Sequence, residues 1–174
     1  MNLNKNWELY CLTDKDYRSE IKSSAELSTK LHFKNISLPA LLENILFKNK
    51  IAKDPYYSTN CWDYQKYEDL HQFYVIHFSS KKKSKCITFE GIDTIADIYL
   101  NGKKIAKVDN MYLSYTFLLN DLKKENNEIL VHIYPCVIEW RKYDLSKILI
   151  AQKYAKEGVY LRKSACSFGW DIMT

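Results

Sequence analysis

The sequence ADIYLNGKKIAK, residues 96–107, contains two short strand-like runs that are joined by Asn101-Gly102. Ala96 to Leu100 alternates between the two faces of a strand, and Lys103 to Lys107 resumes the same pattern. Asparagine and glycine both tolerate the positive φ angles of a type I′ turn, so Asn-Gly between two such runs is a strong hairpin signal. This stretch therefore predicts a β-hairpin.

Other strand patterns lie on both sides of the hairpin. In residues 72–78, alternation places Phe73, Val75 and His77 on one face and the even-numbered residues on the other. Further strands are predicted at residues 7–12, 86–91, 112–118 and 128–134. Several short strands at this spacing indicate an all-β fold, and we favour a jelly-roll β-sandwich.

One segment has a helical pattern. In residues 39–47 the apolar residues recur at helical spacing, proline occupies the first turn, and Ser37 is a candidate N-cap. Residues 17–35 fit a short helix or a strand. We therefore expect a mainly β fold with one or two short helices, of which residues 39–47 form a lid on a sheet.

The composition predicts a folded protein without internal linkers. The chain has 174 residues, of which 47% are apolar, and no Pro-, Ser- or Gly-rich stretch divides it. We expect residues 1–174 to form a single domain.

The net charge is +5, and the charges are mixed apart from a basic run at residues 81–85. That run could attract phosphate or nucleic acid, but a solvated hairpin tip explains it better, so we expect no nucleic-acid partner.

The cysteines and histidines show no metal-ligand spacing. The five cysteines form no C-x-x-C pair, and their odd number favours reduced thiols. We therefore expect no structural metal and no cofactor.

Residues 1–8 lack an apolar signal-peptide core, and no run reaches membrane-spanning length. These features lead us to expect a cytoplasmic protein without a membrane partner, and the alternative is a secreted parent protein whose signal peptide is omitted from this sequence.

The end of the chain carries two candidate sugar-binding residues, Trp170 and Asp171. An indole face can cover the apolar C–H patch of a pyranose, and a carboxylate can accept hydrogen bonds from neighbouring hydroxyls. The alternative is that Trp170 is a core aromatic residue and Asp171 a surface cap. Arg162 and Lys163 precede the pair and would either orient Asp171 by charge or face solvent.

A series of short motifs runs along nearly the whole chain: LPA at 38–40, IAKDPYY at 51–57, Trp62, FEGIDTIA at 89–96, IYLNG at 98–102, DNMY at 109–112 and RKSACSFGWD at 162–171. In this order the motifs resemble the N-terminal domain of the β-mannosidase branch of family 2 glycoside hydrolases. The chain departs from the family pattern at residues 58–61, Ser-Thr-Asn-Cys, where relatives more often have Gly-x-Asn-Glu. It departs again after Asp171, where the family usually continues Trp-Gly-Pro.

The resemblance implies a galactose-binding-like jelly roll that accompanies an immunoglobulin-like domain and a catalytic barrel, neither of which is in this chain. In the family the barrel supplies the two catalytic glutamates, so we expect no catalytic residue here. The resemblance assigns Trp170 to sugar stacking and Asp171 to hydroxyl recognition in the subsite for a terminal β-mannoside. The carboxylate pairs of this chain, Glu90 with Asp93, Asp97 with Asp109 and Glu139 with Asp144, are expected to be surface groups.

The aromatic residues that follow Pro55 allow two interpretations. Trp62 could form a sugar platform with Tyr64 and Tyr67, or these side chains could cover the edge of the sandwich. Tyr56 and Tyr57 are expected to pack beneath a turn that begins at Asp54. We hold Trp62, Tyr56 and Tyr57 as possible sugar or interface contacts.

Three functional classes follow. We favour a noncatalytic module of a β-mannosidase-like enzyme, which binds carbohydrate together with its catalytic domain. The alternatives are a stand-alone carbohydrate-binding jelly roll and, from charge alone, a nucleic-acid binder. The sequence does not indicate the oligomeric state.

Overall fold

The computed structural model describes residues 2–144 and 160–164. Eight strands lie in these residues: β1 Trp7–Thr13, β2 Leu31–Ile36, β3 Leu70–Phe78, β4 Lys85–Phe89, β5 Ala96–Leu100, β6 Lys103–Val108, β7 Tyr115–Leu119 and β8 Asn127–Ile133. Helix α1 spans Leu42–Lys48 and helix α2 spans Cys136–Glu139, and 3-10 turns occur at Ser24–Glu26, Asn60–Tyr67 and Trp140–Lys142. The mainly β architecture with short helices agrees with the sequence prediction.

The strands form two antiparallel sheets. The larger sheet has the order β2-β1-β3-β8-β5-β6, and the smaller one pairs β4 with β7. Apolar residues of both sheets pack into a main core, which includes Leu9, Ile76 and Ile98 from the larger sheet and Leu119 from the smaller one. The two sheets therefore face each other as layers of a sandwich.

The opposite face of the larger sheet carries a second, smaller core. Phe73 and Val75 of β3 lie in this second core, while Tyr74 and Ile76 lie in the main core. The predicted alternation of β3 is therefore confirmed at residues 73–76, where both faces are buried, while His77 is exposed. Residues 14–27 lie over the second core, where Ile21 is buried and Tyr17 and Leu27 pack against it.

The predicted β5–β6 hairpin is present. Asn101 has a φ of 50° and Gly102 a φ of 80°, so both central residues of the turn adopt the left-handed conformation that a type I′ turn requires. The turn is also attached to the neighbouring strand β8, because the Glu128 N–H donates to Asn101 Oδ1 at 2.9 Å. This contact fixes the hairpin at one end of the sheet.

Helix α1 begins later than the sequence predicts. Its N-cap residue is Leu41, which is extended and makes no side-chain capping bond, so the predictions of a start at Pro39 and a cap at Ser37 are wrong. The Leu38 N–H donates to the Asn4 carbonyl at 2.7 Å, and this contact ties the preceding segment to the N-terminal residues. The apolar pattern is confirmed for Leu42, Ile45 and Leu46, which are buried, but not for Leu41, which is exposed.

The ambiguous residues 17–35 contain both a turn and a strand. The 3-10 turn at Ser24–Glu26 begins with a capping box, in which the Ser23 side chain accepts a backbone bond and Glu26 bonds back to the Ser23 N–H. Strand β2 follows at the edge of the larger sheet. The sequence pattern of residues 17–35 fits either a helix or a strand because the two short elements interrupt each other's periodicity.

The basic run at residues 81–85 is not a hairpin tip. It connects β3 to β4, which lie in different sheets, so the prediction of a hairpin is wrong, although Lys81, Lys82 and Lys83 are exposed as expected. The segment is tied to the β7–β8 connection by two backbone bonds, from Ser80 N–H to the Lys124 carbonyl at 3.1 Å and from Leu122 N–H to the Lys83 carbonyl at 2.9 Å. The path of the basic run follows from the pairing of β4 with β7, which lies in the smaller sheet.

In residues 2–144 and 160–164, no helix has the length and apolar character that a membrane crossing requires.

Candidate functional site

The predicted sugar-binding residues Trp170 and Asp171 lie outside the described residues. The nearest described part of the chain is residues 160–164, which run beside Asn110 and Met111. Asn110 and Arg162 form a parallel β-bridge, and the Met111 N–H donates to the Arg162 carbonyl at 3.0 Å. Residues 160–164 are therefore attached to the β6–β7 connection.

Lys163 is held by an ion pair within this part of the chain. Its ammonium group contacts the Asp93 carboxylate, and only 16% of the Lys163 side chain is exposed. The alternative that Lys163 faces solvent is therefore wrong, while its orienting of Asp171 stays a prediction because Asp171 lies outside the described residues. Arg162 is exposed.

The Asp54 turn is formed as predicted, but the tyrosines after it are not packed beneath it. The Tyr56 N–H donates to Asp54 Oδ1 at 3.0 Å, which is the expected turn contact. Tyr56 is 65% exposed and Tyr57 is 72% exposed, so the prediction that they pack under the turn is wrong. Their exposure leaves both rings available to a ligand or to another domain.

The aromatic residues of the 3-10 turn Asn60–Tyr67 divide into an exposed one and two that cover the core. Trp62 is 52% exposed. Tyr64 is buried, donates its hydroxyl to the Lys53 carbonyl at 2.6 Å, and meets Tyr67 edge to face at a centroid distance of 5.9 Å. Of this trio, Trp62 remains a candidate for contact with a ligand or partner.

The exposed aromatic residues lie in one stretch of the sequence that is rich in exposed apolar side chains. Six large apolar side chains within residues 41–62 are exposed: Leu41, Phe47, Ile51, Tyr56, Tyr57 and Trp62. We call these six residues the exposed apolar surface. A cavity of about 370 Å³ adjoins it, with Phe47, Ile51 and Ala52 among its walls and Lys50, Lys53, Lys66 and Asp63 as its charged groups. Exposed apolar surfaces of this kind commonly mark a contact with another protein or a ligand.

Ser58 occupies the position where relatives more often have glycine, and its backbone conformation suits glycine. Its φ is 54°, in the left-handed region that L-residues adopt at a cost of about 1–2 kcal/mol. The turn between Tyr57 and Trp62 therefore keeps a glycine-like backbone without glycine.

Two carboxylates expected at the surface are buried. Asp97 is 3% exposed and accepts bonds from Lys104 Nζ at 2.6 Å and from the Tyr134 hydroxyl at 2.9 Å. Glu139 is also buried and pairs with Lys142. The prediction of surface carboxylates is therefore wrong for Asp97 and Glu139, while Glu90, Asp93, Asp109 and Asp144 are exposed. Both buried carboxylates have a cationic partner, as burial of a charge requires.

Asp97 belongs to a polar cluster in the second core that sequence reasoning missed. The cluster contains His71, His132, Tyr99 and Tyr134, and burial raises the pKa of both tyrosines, as do their carboxylate contacts. The sequence did contain a signal. Asp97 and His132 stand at positions of β5 and β8 that alternate with buried apolar residues, and they are cross-strand partners.

No three His, Cys, Asp or Glu side chains come together as a possible metal site in the part of the chain that the structure describes.

A sequence profile described as "Glycosyl hydrolase 2 galactose-binding domain-like" matches residues 13–173. This chain belongs to that family. Membership agrees with the resemblance seen in the sequence motifs and confirms the predicted galactose-binding-like fold of antiparallel sheets.

Curated relatives of this glycosyl hydrolase 2 chain include mammalian proteins. A β-mannosidase of Capra hircus is 30% identical over 162 residues, and the match covers 82% of this chain and 18% of that protein. A β-mannosidase of Bos taurus is 32% identical with the same coverage. The chain thus spans about a fifth of the length of these relatives.

Solved structures give the same picture of the fold. A β-D-mannosidase from Dictyoglomus thermophilum matches with a TM-score of 0.79 at 30% identity, and the match covers 98% of this chain and 20% of that chain. An exo-chitosanase from Amycolatopsis orientalis matches with a TM-score of 0.60 at 20% identity, over 74% of this chain and 16% of that chain. The second match shows a shared fold alone.

Proposed function

We propose that this chain is the noncatalytic N-terminal domain of a retaining, β-mannosidase-like glycosidase that hydrolyses terminal β-mannosides. The observation that carries the proposal is the match to the Dictyoglomus thermophilum β-D-mannosidase, which extends over 98% of this chain but only 20% of that protein. On this proposal, the remaining polypeptide supplies the chemistry. The domain packs on the catalytic barrel and completes the sugar subsite.

The roles of the carboxylates support a noncatalytic domain. A retaining glycosidase requires two carboxyl groups about 5–5.5 Å apart on either side of the scissile bond. The buried carboxylates Asp97, Glu128 and Glu139 are each engaged within the domain, Asp97 and Glu139 by lysines and Glu128 by Ser24. We therefore expect the isolated chain to show no hydrolysis of an aryl β-mannoside.

In the complete enzyme, we assign Trp170 to stacking on the terminal sugar and Asp171 to recognition of its hydroxyls. A carboxylate can accept bonds from two hydroxyls, and it would be left unpaired by a sugar whose hydroxyl points elsewhere. These contacts would favour mannosides over their epimers.

The test is kinetic. Trp170→Ala and Asp171→Asn in the complete enzyme should each lower kcat/KM for an aryl β-mannoside by about 10- to 100-fold, because each removes about 1.5–3 kcal/mol of transition-state contact. The thermal melting temperature should stay unchanged. Glu125→Gln, at an exposed acidic residue of the β7–β8 connection, is the matched control and should leave kcat/KM unchanged. Wild-type kinetics in both Trp170→Ala and Asp171→Asn would contradict the proposed subsite.

The exposure of Tyr56, Tyr57 and Trp62 favours a second candidate, a carbohydrate-binding module that acts without an attached enzyme. Calorimetry with mannobiose separates the two. The second candidate requires measurable affinity of the isolated chain and its loss in Trp62→Ala. The favoured function requires no such affinity, because the pocket is completed by the catalytic domain.

A further inference from the structure

Residues 14–27, which we call the strap, cover the second core without joining either sheet. The strap contains one 3-10 turn and contributes Tyr17, Ile21 and Leu27 to the second core. Beneath it, Phe73, Val75, Tyr99 and Leu130 lie on the larger sheet. The strap is therefore a small cover on a sheet whose own strands are paired independently of it.

Polar contacts made by Asp14, Glu20 and Ser24 attach the strap to the sheet, and each of them involves an ionisable group. Asp14 Oδ1 lies 3.2 Å from His71 Nε2, and Glu20 accepts the hydroxyl of Tyr99 at 2.7 Å. The Ser24 N–H donates to Glu128 at 3.2 Å. The attachment of the strap thus depends on protonation states.

A pair of buried histidines lies under the strap. His71 of β3 and His132 of β8 are 2% and 0% exposed, and His71 Nδ1 lies 2.9 Å from His132 Nε2. The ring of Tyr17 covers both, with centroid distances of 4.2 Å to His71 and 4.9 Å to His132. Tyr17 is therefore the strap residue that keeps the pair from water.

The hydrogen bonds assign one proton to each imidazole. His71 Nε2 must donate to Asp14, because an ionised carboxylate only accepts. His71 Nδ1 is then an acceptor in the neutral ring, so His132 Nε2 donates to it, and His132 Nδ1 carries no proton. A further proton has to enter at His132 Nδ1, or at His71 with a change of tautomer in His132, and both places are buried.

Burial outweighs the nearby carboxylates and disfavours a positive charge on either histidine. Burial lowers the pKa of His71 in spite of the Asp14 carboxylate, and burial, then the charges of His71 and Lys104, lower the pKa of His132 to about 2. Carboxylates and lysines surround the pair: Asp14 of the strap, Asp97 of β5, Lys104 of β6, Glu139 of α2 and Lys142 of the following turn. The tyrosines around the pair are Tyr17 of the strap, Tyr99 of β5 and Tyr134 after β8. The closed arrangement therefore excludes protons that water-exposed histidines would bind near pH 6.5.

We propose that the strap is a proton-operated cover, which detaches from the sheet as the His71–His132 pair is protonated while the strands beneath it stay paired. A lower pH favours the open state, because the open state binds protons more readily than the closed state. The open state binds more protons than the closed state below about pH 6.5, so the ratio of open to closed rises by up to about tenfold per pH unit for each histidine. The strap opens before the sheet because it has side-chain attachments, whereas β3 and β8 have antiparallel partners on both sides.

Hydrogen exchange of the intact chain, read by mass spectrometry between pH 7.5 and pH 5.5 and corrected for the intrinsic rate, tests the proposal. The amides of Tyr17, Glu26 and Leu27 should lose protection at least tenfold across this range, while the amides of β3 and β8 keep theirs. Unchanged strap protection would overturn the proposal. Loss of protection in the strap and the sheet together would overturn it as well, since that result means global unfolding.

Variants identify the titrating groups. The double variant His71→Phe/His132→Phe replaces both rings with non-titrating ones and should abolish the pH dependence of strap exchange. His32→Gln, at a histidine on β2 that bonds to Glu8, is the control and should keep it. Glu128→Gln should raise strap exchange at every pH without changing its slope between pH 5.5 and pH 7.5. Loss of the slope in Glu128→Gln would overturn the proposal even if the double variant does not fold.

Discussion

At the residue scale, backbone conformation separates two neighbours in the loop before the 3-10 turn Asn60–Tyr67. Ser58 has a φ of 54°, whereas Thr59 has a φ of −96°. Only the first is in the region where a Cβ atom is costly. The same substitution at the two positions should therefore have opposite effects on stability.

Ser58→Gly should increase the free energy of unfolding by about 0.5–1 kcal/mol. The gain is the relief of about 1–2 kcal/mol of left-handed strain, less the additional entropy of glycine in the unfolded chain. Urea unfolding of the purified chain measures the change. Thr59→Gly is the control and should lose about 0.5–1 kcal/mol, because its φ needs no glycine. A loss of the same size at both positions would show that the strain at Ser58 is not significant.

The burial of Asp97 and His132 could not be predicted from the sequence pattern alone. Asp97 and His132 alternate with buried apolar residues and were therefore predictable as inward-facing, but their burial needed the strap above them and the lysine beside Asp97. The strap has no strong periodicity, and Lys104 comes from the neighbouring strand β6. The local sequence pattern predicts which face of a strand a side chain lies on. Whether a charged side chain can be buried there depends on partners from distant segments.

At the element scale, what could be predicted from sequence depended on how local the cause was. The β5–β6 hairpin is specified by two residues with positive φ, and the two faces of β3 follow from alternation alone. The start of α1 has no capping side chain that would mark it in the sequence, and the path of residues 79–84 depends on pairing of β4 with β7. The candidate subsite at Trp170 and Asp171 came from a family motif, and that assignment stays a prediction.

The β5–β6 hairpin gives a prediction at this scale. A Cβ added at Gly102 would meet no atom within 4 Å, so any cost of Gly102→Ala comes from the φ of 80° alone. We expect Gly102→Ala to lower the free energy of unfolding by about 1–2 kcal/mol, measured by urea unfolding. Gly102→Asn should lose less than half as much, because asparagine tolerates the left-handed region. Equal losses for alanine and asparagine would mean that the turn conformation is not what requires glycine.

At the scale of the whole molecule, the exposed apolar surface is the feature that the chain by itself does not explain. Its six side chains fall within residues 41–62, beside a cavity whose charged groups are three lysines and one aspartate. On the proposed function, the catalytic part of the enzyme covers this surface. Docking that buries three aromatic side chains would contribute about 3–5 kcal/mol to the longer protein and nothing to the isolated chain.

The triple variant Tyr56→Ser/Tyr57→Ser/Trp62→Ser should therefore lower the melting temperature of the complete enzyme by several degrees and leave that of the isolated chain unchanged, as calorimetry of both would show. A matched control is available at Tyr112, Leu113 and Leu118, which are also exposed but belong to β7 and the connection before it. Changing those three residues to serine should affect neither protein, because the proposed docking contact lies only on residues 41–62. Equal effects of the two triple variants on the complete enzyme would remove the distinction between these surfaces. A lower melting temperature of the isolated chain with the first variant would instead make Tyr56, Tyr57 and Trp62 part of the domain's own stability, which their exposure of 52–72% argues against.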